Sequence, residues 1–522
     1  MDDHRASDAP RRPPEVYPYR LLLSPNRNEL VEGENGSPAG RRAPLIVGIA
    51  LVVVVAALTA YGFTVNWTGT HRSSFALGVL RTQIIGGAAQ IIVYALAAVG
   101  VAFLLVRRPS RRRAIVAGAA IVGGALLGWI VLAVVAATNV LGVALSATTS
   151  AWVIAGFAGA ALGVASFWAA KGWRTIGIAF SIVFILLAGT LGINADFGLD
   201  PTVGALAGVS TLNTVTIPTV KPTPNPIPTA LDGGALWANW VPPAGMVEND
   251  ETTQVIIPGT ISGFNARPAA IYYPPAALVK NPPELPLVIM MMGQPGNPDP
   301  SFQEVALNPL ARANNGLAPI VIVADQIGNP TVDPLCLNTA RYGNAENYIT
   351  QDVVNWARTH LRILQDPAHW TIAGYSNGGE CALYFGAKYP KIWGNVLDIS
   401  GEEYPGADES ASVLSSVFKG DSAAYQATWP VNILHSGKYP DTDAIFTVGS
   451  NDTEYRQVAE TVSAAAKAAG WKTTYFEVPN GGHVLVALNG GLAEGYSVLF
   501  PRLGLSKPPV TSTPTPSSTS PG

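Results

Sequence analysis

Five long apolar segments without a charged side chain dominate the first 200 residues of this chain. None of them contains Asp, Glu, Lys or Arg, and they lie near 44–63, 84–106, 114–137, 151–170 and 175–194. Each has about 20 residues or more, enough for a helix to cross the hydrocarbon core of a bilayer. A cleaved signal peptide would not be followed by four more such segments. The sequence therefore predicts five transmembrane helices over 44–194, with buried helices of a soluble protein as the alternative.

The composition agrees with a chain that is partly embedded in lipid. Charged residues make up 13% of it, against about 25% in ordinary soluble proteins. The net charge of −3 and the absence of a basic stripe argue against a nucleic-acid partner. The chain has two cysteines and six histidines, without a CxxC or HExxH motif. We therefore expect no structural zinc, no metalloprotease site and no cofactor.

The basic residues of the connections predict an orientation. Arg41 and Arg42 precede the first segment, "RRPSRRR" (107–113) joins the second to the third, and "KGWR" (171–174) joins the fourth to the fifth. Lys and Arg mark the cytoplasmic side of a membrane protein. The amino terminus is thus expected inside, and an odd number of spans then places everything after residue 194 outside.

The remaining regions divide by composition. Residues 1–43 are polar and rich in Pro and Arg, which predicts a disordered cytoplasmic tail. Residues 195–245 include "TIPTVKPTPNPIPT", which predicts an extended, semi-rigid linker outside the cell. Residues 506–522 are Pro, Ser and Thr-rich and predict a second disordered tail.

Residues 246–505 have the pattern of an α/β domain. Short β-rich runs alternate with helical ones, including helices predicted over 345–362 and 453–469. Continuous apolar runs at 285–292 and 319–324 suit a parallel sheet that is buried on both faces. The predicted fold is a multi-span helical membrane domain followed by an exported domain with a mostly parallel sheet and helices on both faces.

Ser376 is the candidate nucleophile. In "HWTIAGYSNGG" it stands between a predicted strand and a predicted helix, with Gly374 before it and Gly378 after it. A nucleophile elbow has this layout, because its tight turn requires small flanking residues. The alternative is a glycine-rich turn whose serine caps the helix.

A serine nucleophile needs a base, and His483 is the candidate. In "PNGGHVLVALNGG" it follows the last predicted strand and a flexible Gly-Gly, where a base can reach the top of the sheet. His435 is the alternative. A solvated loop histidine is the other reading of His483.

The orienting carboxylate is assigned to Asp452, in the turn of "FTVGSNDTEY". Glu454 is the second choice, followed by Asp398 or Glu402, and simple helix capping is the alternative reading of this turn. The chain order serine, acid, histidine is the order used by α/β-hydrolases.

The oxyanion hole should combine two backbone N–H groups. We expect one from Asn377, directly after the nucleophile, and one from Gln294 in "MGQPGNPDP" after the strand at 285–292. A plain Pro/Gly turn is the alternative for Gln294.

Residues 253–505 resemble the esterase D branch of the α/β-hydrolases, which includes the mycolyltransferases of actinobacterial envelopes. The resemblance lies in "IAGYSNGGECALYFGAKYP", "WGNVLDISG", "VGSND" and "GGH", and is strongest to actinobacterial membrane-anchored esterases. Such proteins typically carry His-Gly after the third strand, where this chain has Met292-Gly293-Gln294. The resemblance implies ester chemistry through an acyl-enzyme but does not define the substrate.

Three functions are compatible with these features. The first is a membrane-anchored serine esterase that acts on acyl esters at the outer face of the membrane. The second uses the same residues as an acyltransferase, with a sugar or lipid hydroxyl of the envelope as acceptor. The third is a non-catalytic scaffold or transporter with an outer binding domain; the lack of charges in the spans argues against it. The bilayer is the expected partner, and the oligomeric state is not predicted.

Cys336 and Cys381 are predicted to form a disulfide. Both lie in the domain that is expected outside the cytoplasm, where disulfides persist. Cys381 is five residues after Ser376, and Cys336 follows a strand that is expected to neighbour the strand before Ser376. Two free buried thiols are the alternative.

Overall fold

The computed structural model describes residues 74–106, 110–138, 145–168, 170–198, 200–219, 235–439 and 441–508. The first predicted span, 44–63, lies outside the described residues. So do the predicted tail 1–43 and the part of the second tail beyond residue 508.

Four described helices are long and apolar enough to cross a membrane, and they match the last four predicted spans. The helices of this amino-terminal part are α1 (Ser74–Leu80), α2 (Ala88–Leu105), α3 (Arg111–Thr138), α4 (Ala147–Phe167), α5 (Trp173–Phe197), α6 (Val203–Leu206) and α7 (Leu236–Asn239). The four candidate spans are α2 to α5. Their mean hydropathy ranges from 1.6 to 2.5 over the most apolar window. The helix α3 begins at Arg111, so the last three arginines of the basic connection form its first turn.

Small residues let these helices approach each other closely. A Cβ atom on Gly124 of α3 would lie 2.5 Å from the carbonyl oxygen of Phe157 in α4. A Cβ atom on Gly163 of α4 would lie 2.4 Å from Cγ1 of Ile182 in α5. Because lipid removes the hydrophobic drive between helices, such close backbone contact is the usual basis of their association.

The α/β part contains an eight-stranded sheet in the order β1-β2-β4-β3-β7-β8-β9-β10. Its strands are β1 (Glu251–Val255), β2 (Ala269–Tyr273), β3 (Leu287–Met291), β4 (Ile320–Ala324), β7 (Trp370–Tyr375), β8 (Asn395–Ile399), β9 (Asp443–Gly449) and β10 (Lys472–Val478). The two short strands β5 (Asn338–Thr339) and β6 (Gly343–Asn344) form a separate hairpin. Within the described sheet, β2 alone runs antiparallel to the other strands.

Helices cover both faces of this sheet. They are α8 (Ser301–Ala313), α9 (Ala345–Asn347), α10 (Val354–His360), α11 (Asn377–Lys388), α12 (Ser410–Ser416), α13 (Ser422–Gln426), α14 (Pro430–Ser436), α15 (Thr453–Ala468) and α16 (Leu485–Arg502). A π-helical turn, Tyr348–Val353, joins α9 to α10 inside the helix predicted over 345–362. Every residue of β3, β4, β7 and β8 is buried, as a parallel sheet between two helix layers requires. The predicted fold class, long apolar helices followed by a mostly parallel sheet with helices on both faces, is confirmed.

The segment predicted as an extended linker, 195–245, has more structure than its composition suggests. The last candidate span continues to Phe197, and residues 200–219 contain α6. This stretch pairs with the sheet edge, because Thr214 forms a bridge with Gln254 of β1. The Pro/Thr-rich stretch 220–234 lies outside the described residues.

Candidate active site

The turn between β7 and α11 holds Ser376 in a strained conformation. Its φ and ψ are 55° and −122°, and its N–H donates to the carbonyl oxygen of Ile399 over 2.9 Å. A Cβ atom on Gly374 would lie 1.8 Å from the carbonyl oxygen of Gly378, and one on Gly378 would lie 2.2 Å from that of Met291. Any larger residue at either glycine would therefore clash with backbone. The predicted strand, sharp turn and helix are all present.

The structure brings Ser376, His483 and Asp452 into one hydrogen-bonded chain. The distance from Nε2 of His483 to Oγ of Ser376 is 2.8 Å. The distance from Nδ1 of His483 to Oδ2 of Asp452 is also 2.8 Å. The side chains of His483 and Asp452 are each 9% exposed. In this arrangement the imidazole can take the serine proton while the carboxylate holds the ring.

The turns that carry Asp452 and His483 are fixed to each other by backbone contacts. The N–H of Asn451 donates to the carbonyl oxygen of Gly481 over 2.7 Å, and the N–H of Asn480 donates to Oγ of Ser450 over 2.9 Å. The Tyr455 ring lies 3.8 Å from the His483 ring, centroid to centroid. The acid and the base are thus positioned together at the carboxyl ends of β9 and β10.

The alternative residues occupy other environments. His435 is exposed on α14, and Glu454 is exposed in the first turn of α15. Oδ1 of Asp398 accepts a hydrogen bond from the N–H of Gly401 over 2.9 Å. Glu402 lies close to Glu380 and adds to the effect of burial in raising the pKa of Glu380. The hydrogen bonds of the His483 ring go to Ser376 and Asp452.

The loop that carries Gln294 lies directly against the nucleophile. A Cβ atom on Gly293 would lie 3.1 Å from Cβ of Ser376. The Gln294 side chain is exposed, and its Nε2 donates to the carbonyl oxygen of Pro330 over 3.5 Å. The predicted donor Asn377 therefore begins the helix after Ser376, and the predicted donor Gln294 directly follows a residue that lies against Ser376.

Gln326 and Asp333, which the sequence analysis did not select, hold Asn377 in place. Nε2 of Gln326 donates to Oδ1 of Asn377 over 3.1 Å and also to the carbonyl oxygen of Met292. Nδ2 of Asn377 donates to Oδ1 of Asp333 over 3.1 Å. Gln326 thus ties the loop after β3 to the start of α11. Its signal in the sequence was a polar residue at the end of the apolar run "PIVIVADQ".

Buried and half-buried carboxyl groups surround the first turn of α11. Burial raises the pKa of Glu380 well above its ordinary value, and the nearby Glu402, Asp333 and Asp398 raise it further. Burial also raises the pKa of Asp398 to about 7, against the lowering effect of the Gly401 N–H. The region is therefore acidic but partly protonated near neutral pH.

Cys336 and Cys381 form a disulfide with a Cα–Cα distance of 5.6 Å, so the predicted bridge is confirmed. The expectation that the strand before Cys336 lies next to the strand before Ser376 is wrong. The strand before Cys336 is β4, and β3 lies between β4 and the elbow strand β7. The loop after β4 instead crosses above β3 to reach α11. These two cysteines and Glu380 are the one grouping of potential metal ligands within the described ranges, and its sulfurs are bonded to each other.

The comparisons with known proteins agree with this geometry. Residues 267–488 match the Esterase family. An uncharacterised protein of Corynebacterium glutamicum is 30% identical over 298 residues, covering 54% of this chain and 70% of that protein. An S-formylglutathione hydrolase from Agrobacterium tumefaciens is 16% identical, with 49% of this chain and 95% of that chain covered and a TM-score of 0.41.

A ferulic acid esterase from Anaeromyces mucronatus is 14% identical, with 51% of this chain and 94% of that chain covered and a TM-score of 0.37. Both TM-scores are too low to support an argument from structural likeness. The assignment depends instead on the sequence matches and on the sheet described above. This chain belongs to the family of the Corynebacterium glutamicum protein, and its α/β part is an esterase-family hydrolase domain.

Proposed function

We propose that this protein is a membrane-anchored serine esterase that acts through an acyl-enzyme at the outer face of the cell membrane. The observation that carries the proposal is the chain of two 2.8 Å hydrogen bonds from Ser376 through His483 to Asp452 at a nucleophile elbow. A capping serine in a glycine-rich turn would not need a histidine and a carboxylate in this order.

Each residue has a role in the first half of the reaction. Oγ of Ser376 attacks the ester carbonyl carbon while Nε2 of His483 takes its proton. Asp452 stabilises the imidazolium that forms. The N–H groups of Asn377 and Gln294 donate to the oxyanion. The carbon–oxygen bond to the alcohol then breaks, and the leaving alkoxide receives the proton from His483.

The acyl-enzyme is released by the reverse sequence. His483 takes a proton from an incoming water, whose oxygen bonds to the acyl carbon. The bond between the acyl carbon and Oγ of Ser376 then breaks, and His483 returns the proton to Oγ. The product is then a free acid. A sugar or lipid hydroxyl in place of water would give acyl transfer by the same steps, so the products of the reaction separate the two outcomes.

Two features support the proposed orientation. The basic connections lie at one end of the helices, where the Phe103 and Trp173 rings are 5.8 Å apart and the Arg174 guanidinium lies 4.9 Å from the Phe103 ring centre. The opposite ends of α2 and α5 adjoin the α/β part. Arginines at the cytoplasmic side would therefore place the esterase domain outside.

The proposal is tested with a fluorophosphonate probe and a soluble chromogenic acetate ester. We expect Ser376→Ala to abolish labelling and turnover, because the nucleophile is lost, and Ser415→Ala on exposed α12 to retain both. Asp452→Asn should lower kcat/KM by about three to four orders of magnitude, since the histidine loses its orienting partner.

Glu454→Gln is the matched control for the acid and should stay near the wild-type rate. Labelling that persists in Ser376→Ala would overturn the assignment of the nucleophile. A severe loss in Glu454→Gln with normal turnover in Asp452→Asn would overturn the assignment of the acid.

A further inference from the structure

Residue 198 and residues 200–208, together called the exit segment, lead out of the last candidate span and lie against the histidine side of the catalytic site. Gly198 directly follows α5 and has a φ of +75°. A Cβ atom on Gly198 would lie only 2.5 Å from Cβ of Leu485. Leu485 is two residues after His483 and begins α16. The backbone at the end of the last candidate span is therefore in direct contact with the first residue of α16, two positions after the base.

The same segment also contacts the oxyanion side of the site. Nδ2 of Asn297, in the loop after β3, donates to the carbonyl oxygen of Ala205 over 3.4 Å. Asn297 is held by Arg267, whose Nη1 donates to its Oδ1 over 2.7 Å and whose Nη2 donates to the carbonyl oxygen of Gly296 over 2.8 Å. Arg267 is anchored in turn by a 2.7 Å ion pair with buried Asp325. The loop that carries Gln294 is thus fixed relative to the exit segment.

The exit segment also binds the start of the first described span. The N–H of Ile84 donates to the carbonyl oxygen of Pro201 over 2.9 Å, and the N–H of Val203 donates to that of Thr82 over 3.1 Å. Because α2 begins at Ala88 and α5 ends at Phe197, two spans end beside these bonds. The start of α16 and the loop after β3, on the two sides of the catalytic site, are therefore both attached to the exit segment, beside which two candidate spans end.

Large apolar side chains are exposed at this junction. Leu206 of the exit segment is 42% exposed, and Val486, next to Leu485, is 48% exposed. Single exposed apolar residues are ordinary on a soluble surface. Here they adjoin the ends of candidate spans, and in a bilayer the boundary between headgroups and acyl chains would lie near such ends and accept apolar side chains.

We propose that the catalytic site opens onto the bilayer surface and that its acyl donor is a lipid ester held in the same membrane. This inference rests on the proposed function and names its substrate class. The ester carbonyl of such a lipid sits near the headgroup boundary, so Ser376 attacks it while the chains stay in the bilayer. The acyl carbon becomes bonded to Oγ of Ser376, and the lipid alcohol leaves with the proton that His483 carried.

A comparison of vesicles tests the inference with the full chain. The protein is reconstituted in vesicles of equal parts dioleoylphosphatidylcholine and dioleoylphosphatidylglycerol. A resorufin ester with two lauryl chains is added either to these vesicles or to separate protein-free vesicles. We expect turnover at least about tenfold faster when ester and protein share a bilayer. Equal rates in the two arrangements would overturn the inference.

A variant of the exit segment gives the second readout. Leu206→Glu places a charge where the lipid surface is proposed, so it should lower turnover of the two-chain ester about tenfold while soluble resorufin acetate is turned over at nearly the wild-type rate. The matched control is Val241→Glu. Val241 is 79% exposed and lies at the end of the sheet far from the catalytic site. Its neighbour Trp240 donates through Nε1 to the carbonyl oxygen of Asn315 there. Val241→Glu should change neither rate.

The outcomes separate the two proposals. Loss of both rates to the same extent in Leu206→Glu, with wild-type thermal stability, would overturn the bilayer-facing site. A wild-type protein that neither turns over resorufin acetate nor takes the fluorophosphonate label would instead overturn the proposed function itself. Preference for the shared bilayer, reduced by Leu206→Glu and retained in Val241→Glu, supports the inference.

Discussion

The close packing around the nucleophile elbow changes the pKa of Asp398. The first turn of α11 and the end of β8 meet so closely that a Cβ atom on Gly379 would lie 2.6 Å, and one on Gly401 2.3 Å, from Oδ1 of Asp398. The carboxyl group is 3% exposed and has one hydrogen-bond donor, the N–H of Gly401. Close packing at the nucleophile thus leaves a carboxyl group with little to stabilise its charge.

The pKa of Asp398 predicts a loss of stability with rising pH. Burial raises it from 3.8 to about 7. Between these values the folded state keeps a proton that the unfolded chain has released, so the free energy of unfolding falls as pH rises through this window. Asp398→Asn keeps an oxygen acceptor for Gly401 and cannot ionise. We expect its melting temperature to exceed that of the wild type by about 5 °C at pH 8.

The comparison is made by thermal unfolding of the full chain in detergent at pH 5 and pH 8. At pH 5 the difference between Asp398→Asn and the wild type should be less than half of that at pH 8, because pH 5 lies near the lower end of the window from 3.8 to about 7. Glu248→Gln, which changes an exposed carboxylate, serves as the control and should follow the wild type. If the melting temperature of Asp398→Asn changed between pH 5 and pH 8 as much as that of the wild type, this explanation would be refuted.

At the scale of elements, the disulfide links the loop after β4 to the nucleophile helix. It closes a stretch with a sequence separation of 45. By the chain-entropy model such a bridge stabilises the folded state by about 4 kcal/mol. We expect the double variant Cys336→Ser, Cys381→Ser to melt about 10 °C lower than the wild type. Reductant should lower the melting temperature of the wild type and leave that of the variant unchanged.

Mass spectrometry after alkylation gives a separate check of the same bridge. In the wild type, denatured without reductant, neither cysteine should take the alkylating group. If both did, the bridge would be absent from the protein and the predicted stabilisation would have no source.

The elements that follow local rules were predictable from the sequence, and those that depend on long-range packing were not. The elbow could be predicted because its glycines and apolar strand are adjacent in the chain, and the candidate spans because 20 uncharged apolar residues have few alternatives. The order β4-β3-β7 could not, since strand order depends on crossovers. The role of Gln326 also escaped prediction, because its two partners are 34 and 51 residues away.

At the scale of the whole molecule, the ends of the candidate spans divide into two groups. The basic connections 107–113 and 171–174 border the end where the rings of Phe103 and Trp173 meet. The other end holds the pairing of residues 82–84 with 201–203 and the attachment to the α/β part.

This division predicts the result of a topology experiment. Seven positions at 107–113 include five arginines, and arginines are retained on the cytoplasmic side because their translocation is disfavoured. A reporter that is active only in the cytoplasm should therefore be active when inserted in 107–113 and inactive when fused after Gly522. A reporter that is active only outside should give the opposite pattern. Cytoplasmic activity after Gly522 would place the esterase domain inside, and the outer leaflet could then not supply its substrate.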